Sequence, residues 1–352
     1  MTRLLTCGYE TGDIAEAGIS TIGASQTLTV VSTAPVPRAG SYCLKAATTS
    51  GTFAPTYKAF ALPAAKTEVW LRFAFLSHTP TVEHTIASLS DSTAAVQTVL
   101  TYHPVDGLLR AYRGGSTALL GVASTAFAAD TWHAIEWRTQ ILTTTTGATE
   151  VWLDGNRVVN FSGDNSQTTT LNVQTLSLGM TATASGTGTS AYVAYDDIAV
   201  NDTAGTLNNG RAGDGRVVLL VPNGAGSSTV LTRGGTDTGA NYSQVNEIPP
   251  SLVQYVGSAV AGDRDLYAMG NLTMAVASIN VVEAIVLAQN SDAGAGSIGP
   301  TIKSGATVNE ATAIGLATAA GYVTSRWETD PATTAAWTAT AVNALEAGVT
   351  VR

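Results

Sequence analysis

Residues 131–161 combine an alternating pattern with a tight turn, and together these indicate antiparallel β-structure. In TWHAIEWRTQIL (131–142), apolar residues at 135, 137 and 141 alternate with polar residues at 136, 138 and 140. A period of two is typical of a strand with one buried face, so Glu136 and Arg138 are expected on a solvent-exposed face. In the next run, TEVWLDGNRVVNF (149–161), Asp154-Gly155 separates two strand-like segments, which is the sequence signature of a type I′ hairpin.

Strand-like runs separated by turn residues continue along the chain, whereas only one helix is indicated. Thr338 is suited to cap this short helix, with Val342 and Leu345 on one side and Gly348 placed to end it. The pattern predicts an all-β protein of the sandwich or jelly-roll type. Further strands are predicted at 67–76, 191–200, 216–222, 265–270, 279–289, 296–305 and 321–330, with a hairpin at 108–122.

A polar stretch rich in Gly and Asn, TAGTLNNGRAGDGR, follows Asp202 and indicates a domain boundary. A chain of 352 residues is long enough for two ordinary domains. The predicted organisation is a first domain at 1–203, a linker at 204–215 and a second, smaller β-sandwich domain at 216–352.

Composition excludes several classes of partner. Charged residues make up only 12% of the chain, the net charge is −9, and the 17 basic residues are scattered, so no nucleic-acid partner is expected. No run of about 18 apolar residues occurs, which argues against insertion into a membrane. The N-terminus MTRLLTCGYETGD does not have the pattern of a signal peptide, so synthesis in a cytoplasm is expected. Cys7 and Cys43 are interpreted as free, buried side chains.

The strand YVAYDDIAVND (192–202) carries two adjacent carboxylates in an apolar setting. Simple alternation places Asp196 on the same face as Ile198 and Val200, which are predicted core residues. A buried carboxylate requires hydrogen-bond donors or a cation, because an unpaired buried charge is too costly. Asp196 is therefore a candidate catalytic acid, metal ligand or structural clamp.

The chain shows no arrangement of residues that predicts catalysis. The four histidines, at 78, 84, 103 and 133, lack the spacing of metal ligands, and no nucleophile elbow or phosphate-binding loop occurs. Hydrolysis of a glycosidic bond requires two carboxylates across that bond, whereas the acidic residues at 68, 83, 136 and 150 are isolated. The chain is therefore predicted not to be an enzyme, and a glycan hydrolase is the least favoured function.

Five segments of the first 200 residues occur in a characteristic order, namely CGYETGD (7–13), RAGSYCLKA (38–46), DTWHAIEWRTQI (130–141), TEVWLDGNRV (149–158) and AYVAYDDIAV (191–200). In this order they resemble the concanavalin A-like, laminin-G-type jelly roll. The whole chain, including RWETDPATTAAWTATAVNALEAGV (326–349), is similar to structural proteins of tailed bacteriophages. The resemblance implies an N-terminal concanavalin A-like jelly-roll sandwich followed by a smaller β-sandwich domain with one short C-terminal helix.

The resemblance also implies a role for Glu10 and Asp196. In related carbohydrate-binding jelly rolls, a glutamate near the start and an aspartate in the closing strand help to hold a structural calcium ion. Calcium takes about six to eight oxygen ligands, which include carboxylates and backbone carbonyls. The alternative is that Asp196 accepts hydrogen bonds from backbone amides of the first strand. In either case Asp196 is interpreted as a clamp between the chain ends.

The function implied by the resemblance is that of a structural component of a tailed-phage virion. The chain would be a surface-exposed accessory protein of the tail, baseplate or capsid, located in the virion, with copies of itself and other virion proteins as partners. The alternative is a carbohydrate-binding module that attaches the particle to host-surface glycans. Aromatic residues that could stack on a sugar ring are Tyr102, Tyr112, Trp132, Tyr192 and Tyr195.

Overall fold

The computed structural model describes residues 2–115, 118–186, 189–236 and 238–352. The chain divides into two compact units, Met1–Val217 and Val218–Arg352. The residues predicted to form a linker, 204–215, therefore lie inside the first unit. Among the described residues, no helix is long and apolar enough to cross a membrane.

The first unit is built from antiparallel strands, with a 3₁₀ turn at Ile14–Glu16. The bounds of its strands are β1 Arg3–Cys7, β2 Ile19–Thr21, β3 Gln26–Val31, β4 Cys43–Thr48, β5 Thr52–Phe53, β6 Thr56–Lys66, β7 Glu68–His78, β8 His84–Ser90, β9 Val96–His103, β10 Leu108–Arg113, β11 Ala118–Val122, β12 His133–Gln140, β13 Ala148–Leu153, β14 Asn156–Ser162, β15 Val173–Met180, β16 Ala184–Ser185 and β17 Tyr192–Asn201. The predicted hairpin at 108–122 corresponds to β10 and β11, and its residues 116 and 117 lie outside the described residues.

Two large sheets enclose the core of the first unit. The eight-stranded sheet has the order β14-β13-β12-β7-β17-β4-β3, with β1 also paired to β17, and the seven-stranded sheet has the order β11-β10-β9-β8-β15-β6-β2. Both sheets contribute to one hydrophobic core, for example Phe73 and Trp137 from the first and Leu100 and Leu176 from the second. The predicted all-β sandwich is confirmed. Cys7 and Cys43 are free and buried, as predicted.

The hairpin formed by β13 and β14 confirms the prediction made from Asp154-Gly155. Asp154 has φ 49° and Gly155 has φ 85°, and a type I′ turn requires positive φ at both central residues. Glycine adopts this conformation without steric cost, and aspartate is among the few other residues that tolerate it. The turn is therefore determined locally by these two residues.

The outer face of β12 is covered, which makes the prediction of a solvent-exposed Glu136 wrong. Glu136 is 3% exposed. Its carboxylate accepts hydrogen bonds from the backbone N–H of Gly213 at 2.9 Å and from Nε of Arg211 at 3.1 Å. The guanidinium of Arg211 also lies 4.7 Å from the ring centre of Trp152. These contacts attach the segment after β17 to the eight-stranded sheet.

A β-bulge in β17 changes the face on which Asp196 lies. The register between β17 and β7 shifts between Asp196 and Ala199, and Asp197 has φ 55°. The extra residue of a bulge moves the following side chains to the opposite face. The core side of β17 is consequently formed by Val193, Tyr195, Ile198 and Val200. The prediction that Asp196 shares a face with Ile198 and Val200 is wrong for this reason.

The second unit is also all-β, with one α-helix among its described residues. A six-stranded sheet has the order β18-β21-β27-β23-β24 with β25 paired to β23, and two further pairs are β19-β20 and β22-β26. The strand bounds are β18 Pro222–Thr229, β19 Thr232–Gly234, β20 Tyr255–Gly257, β21 Arg264–Met269, β22 Val282–Ala288, β23 Ser297–Ser304, β24 Thr307–Glu310, β25 Ile314–Gly315, β26 Gly321–Trp327 and β27 Glu346–Val351, with a 3₁₀ turn at Asn241–Gln244.

The helix α1, Ala339–Asn343, lies where the sequence predicts it. The Thr338 side chain accepts a hydrogen bond from the backbone N–H of Ala341 at 3.1 Å, which is the predicted N-cap. The helix ends before Gly348, contrary to prediction, because the chain from Glu346 onward pairs with β21 and β23. A small core lies under it, formed by Ile302, Trp327, Trp337, Val342 and Leu345.

Candidate functional sites

Glu10 and Asp196 converge on one short loop segment at 38–41. Oε2 of Glu10 accepts a hydrogen bond from the backbone N–H of Ser41 at 2.7 Å. Oδ2 of Asp196 accepts from the backbone N–H of Arg38 at 2.9 Å and of Ala39 at 3.2 Å. Both carboxylates are buried, with exposed fractions of 5% and 0%. The predicted alternative for Asp196 was right about backbone amides, but the donors lie in the 38–41 loop rather than in the first strand.

Burial raises the pKa of both carboxyl groups. The pKa of Glu10 rises to about 7, first because of burial and then because of the negative charges of Glu16 and Asp197. The pKa of Asp196 rises to about 8, again mainly through burial, with Asp197 and Glu10 adding repulsion. The amide donors of the loop act in the opposite direction on both groups. The two predicted site residues are therefore close enough to repel one another when both are ionised.

Asp197 differs from its neighbour because cations accompany it. Its Oδ2 lies 3.3 Å from Nη1 of Arg38 and 3.8 Å from Nη2 of Arg72. Its Oδ1 accepts a hydrogen bond from the backbone N–H of Val217 at 2.7 Å. Arg72 also donates to the backbone carbonyl of Asp197. Asp197 thus connects the closing strand to the end of the first unit.

The residues around Glu10 fit a bound cation. Oε1 of Glu10 is buried and has no hydrogen-bond partner. It lies against Gly40, where a Cβ would collide with the carboxylate. An unpartnered carboxylate oxygen beside a second buried carboxylate is a suitable environment for a hard cation such as calcium. Among the described residues no group of three or more His, Cys, Asp and Glu could hold a metal, so backbone or water oxygens would have to complete the coordination.

A second candidate site is a cleft of about 200 Å³ at the seven-stranded sheet. Oε1 of Glu83 accepts hydrogen bonds there from the Thr101 hydroxyl at 2.6 Å and the Tyr112 hydroxyl at 3.2 Å. Tyr112 alternates along β10 with the buried residues Leu109 and Ala111, so its ring is directed away from the core. The lining consists of Glu83, His84, Thr85, Thr101, Tyr112, Ala182, Thr183 and Ala184.

His84 lines this cleft as a neutral imidazole. It is 3% exposed, and its burial lowers its pKa to about 4. Nδ1 lies 3.0 Å from the backbone carbonyl of Val82, which assigns the proton to Nδ1. Nε2 is then an acceptor, and it is buried without a hydrogen-bond partner. His84 therefore brings no positive charge to the cleft.

One of the five aromatic candidates lines the cleft, namely Tyr112. Tyr102 and Tyr195 belong to the hydrophobic core. The ring of Tyr192 is in contact with the ammonium group of Lys45 at 4.1 Å and stacks on His78. Nε1 of Trp132 donates to the carbonyl of Val36. Sequence reasoning missed Glu83 and Thr101 as site residues, because nothing in their local sequence distinguishes them from other isolated polar residues.

Comparisons with known proteins agree with the β-sandwich fold. No family model matches the chain, and neither does any curated protein sequence. Among solved structures, an endo-β-1,4-glucuronan lyase from the fungus Trichoderma reesei is 17% identical with a TM-score of 0.42, over 57% of this chain and 95% of the lyase. A PL-14 alginate lyase from Aplysia kurodai is 10% identical with a TM-score of 0.39, over 57% and 99% of the two chains. The carbohydrate-binding module CBM66 from Bacillus subtilis is 9% identical with a TM-score of 0.32, over 53% and 99%.

These matches contradict the prediction that the chain is not an enzyme, and they do not test its predicted role in a phage particle. Two of the three structures are polysaccharide lyases by name, so the prediction that the chain is not an enzyme is wrong by this comparison. None of the three is a bacteriophage protein by name. At this distance the likeness concerns the fold and assigns no ligand or activity to the chain.

Proposed function

We propose that the chain is a glycan-binding surface protein of a tailed-phage particle and that the first unit binds the glycan. The cleft at the seven-stranded sheet carries this proposal, since Glu83, which precedes β8, meets Thr101 of β9 and Tyr112 of β10 there. Sites for small polar ligands combine an apolar or aromatic wall with a few placed polar groups. The cleft offers both.

The polar groups of the cleft suit the hydroxyl groups of a sugar. An ionised carboxylate has about four acceptor sites, so Glu83 retains capacity beyond its bonds to Thr101 and Tyr112. The hydroxyl groups of Thr85 and Thr183 also line the cleft, and a hydroxyl is both donor and acceptor. The ring of Tyr112 provides the aromatic surface on which a sugar can rest.

The second unit supports the virion part of the proposal, through apolar side chains that it leaves exposed. Val230, Leu252, Val253, Tyr255 and Val260 are each at least 53% exposed, and four of them lie within 252–260. Exposed apolar clusters mark protein–protein contact sites more often than ordinary surface. We propose that this segment joins copies of the chain into a closed homo-oligomer on the particle, beside other virion proteins.

We also propose that a calcium ion binds between Glu10 and Asp196. The support is the unpartnered Oε1 of Glu10 and the proximity of two buried carboxylates. The ion would neutralise the repulsion between them and attach the first residues of the chain to its closing strand. Its role would be structural, because both carboxylates are buried against the 38–41 loop.

The glycan-binding proposal is tested on a glycan array with three proteins. Glu83→Gln removes the charge of the cleft while keeping a side chain of the same shape. Asp292→Asn is the matched control, since it removes one negative charge from an exposed position of the second unit. We expect the wild type and the control to bind the same glycans and Glu83→Gln to bind them at least tenfold more weakly. Binding by no glycan, or equal binding by all three proteins, would contradict the proposal.

A further inference from the structure

We infer that the cleft selects an uncharged or amino sugar and rejects an acidic sugar such as a uronate. This inference rests on the proposed glycan-binding function and specifies its ligand. The named lyases among the compared structures act on glucuronan and alginate, so the inference predicts a specificity different from theirs. It follows from the charge, hydrogen-bonding capacity and size of the cleft.

The charge balance at the cleft is negative. Among the described residues that line it, Glu83 is a carboxylate and there is no Lys or Arg. His84 is neutral, because burial lowers its pKa to about 4. Arg110 lies on β10 near Tyr112 but outside the lining; its Nη2 is paired with Oδ2 of Asp106 at 2.6 Å, and its Nη1 is buried without a hydrogen-bond partner. The carboxylate of a uronate would therefore meet Glu83 without a cation in the lining to compensate, and like charges at close range repel.

The hydrogen-bonding capacity of the cleft leads to the same conclusion. Glu83 is an acceptor that retains capacity beyond its bonds to Thr101 and Tyr112. A ligand that donates hydrogen bonds, through hydroxyl or ammonium groups, matches this remaining capacity. An ionised uronate group has acceptors alone, so it cannot donate a hydrogen bond to Glu83. This difference in hydrogen bonding discriminates between the two kinds of ligand.

The size of the cleft limits how much of a glycan can enter. Its volume of about 200 Å³ lies below the roughly 300–1,000 Å³ of pockets for drug-sized ligands. One sugar unit, at a chain end or on a branch, is the expected occupant. Its hydroxyl or amino groups would be directed to Glu83, which gives a salt-dependent preference for an ammonium group.

The test is a calorimetric titration of the full chain with three probes of similar length: glucosamine oligomers, neutral cello-oligosaccharides and alginate oligosaccharides. We expect binding of at least one of the first two, and binding of alginate at least tenfold weaker than the better of them. Raising the salt concentration should weaken binding of glucosamine oligomers. In Glu83→Gln the discrimination against alginate should fall, whereas the control Asp292→Asn should keep it.

Failure of the sugar-specificity inference can be distinguished from failure of the glycan-binding proposal. Alginate binding equal to or tighter than that of the other probes would overturn the inference and leave the glycan-binding proposal intact. Binding of none of the probes, together with a blank array, would overturn both. Even if Glu83→Gln does not fold, the wild-type affinity for alginate relative to that for the other two probes decides whether the cleft rejects an acidic sugar.

Discussion

Asp196 and Asp197 are adjacent in sequence but have different partners. Asp196 accepts hydrogen bonds from the backbone amides of Arg38 and Ala39, whereas Asp197 is paired with the guanidinium groups of Arg38 and Arg72. The bulge at Asp197, with φ 55°, separates the two side chains. One carboxylate is thereby compensated by arginines, while the other stays beside Glu10 as a candidate cation ligand.

Calcium should stabilise the first unit through Glu10 and Asp196. A ligand at one hundred times its dissociation constant raises the free energy of unfolding by about 2.7 kcal/mol. We expect excess calcium to raise, and a chelator to lower, the thermal unfolding temperature of the wild type. Asp196→Asn should abolish the response, since it keeps an acceptor for the loop amides but loses the charge. A wild type that is indifferent to calcium and chelator would contradict the proposed site.

Removal of the Asp197 carboxylate should strongly destabilise the first unit. Arg72 is 3% exposed, and Asp197→Ala would leave its buried charge without this partner. Breaking a buried ion pair by removing one partner costs about 3–5 kcal/mol. We expect a loss of this size in urea unfolding, against less than about 1 kcal/mol for the exposed control Asp292→Ala. Equal effects of the two variants would show that Asp197 does not stabilise the unit.

The stability of the first unit should depend on pH through His84. Its pKa is about 4 in the folded protein and about 6.5 in an unfolded chain, so the unfolded chain binds more protons between these values. The contribution of the neutral imidazole is complete above pH 6.5 and is lost as the pH falls towards 4. From pH 7 to pH 4 the wild type should lose about 3 kcal/mol more in the free energy of unfolding than His84→Gln.

The comparison with His84→Gln separates this effect from other titrating groups. The raised pKa values of Glu10 and Asp196 change stability in the opposite direction over the same range, but they are common to both proteins. Urea unfolding at the two pH values measures the difference. Parallel losses in the wild type and the variant would show that His84 is not held in its neutral form.

The exposed apolar segment of the second unit should determine the oligomeric state. We expect light scattering to give a mass that is a multiple of the chain mass for the wild type. Leu252→Ser combined with Val253→Ser should shift the protein to the monomer, because both side chains are more than 60% exposed in the isolated chain. Val36→Ser combined with Val105→Ser, at still more exposed positions of the first unit, is the control and should keep the multiple mass. A monomeric wild type would contradict the proposed assembly.

Features fixed by neighbouring residues could be predicted from the sequence. The turn at Asp154-Gly155 and the helix cap at Thr338 depend on local backbone preferences and local hydrogen bonds, and both occur as predicted. The alternation of β12 correctly placed Ile135 and Trp137 in the core. Its outer face could not be predicted, because Glu136 is covered by Arg211, a contact between distant parts of the chain.

The candidate sites could be predicted only in part. The resemblance to jelly rolls predicts that Glu10 and Asp196 lie near one another, and both accept hydrogen bonds from the 38–41 loop. Alternation failed at Asp196 because a single extra residue inverts the faces of a strand. Glu83 precedes β8, and Thr101 and Tyr112 lie in β9 and β10, so the order and register of these strands in the sheet bring the three side chains together. Their hydrogen bonds depend on this strand order, which cannot be predicted from composition or from the periodicity of the sequence.

The most direct test of the glycan-binding cleft is a nuclear magnetic resonance titration of the threonine methyl groups. Thr85, Thr101 and Thr183 all line the cleft and can be assigned by single substitutions to serine. Addition of the best glycan from the array should shift the signals of these three residues and leave those of threonines in the second unit, such as Thr307, unchanged. Binding that shifts other methyl groups and leaves all three cleft threonines unaffected would contradict the account.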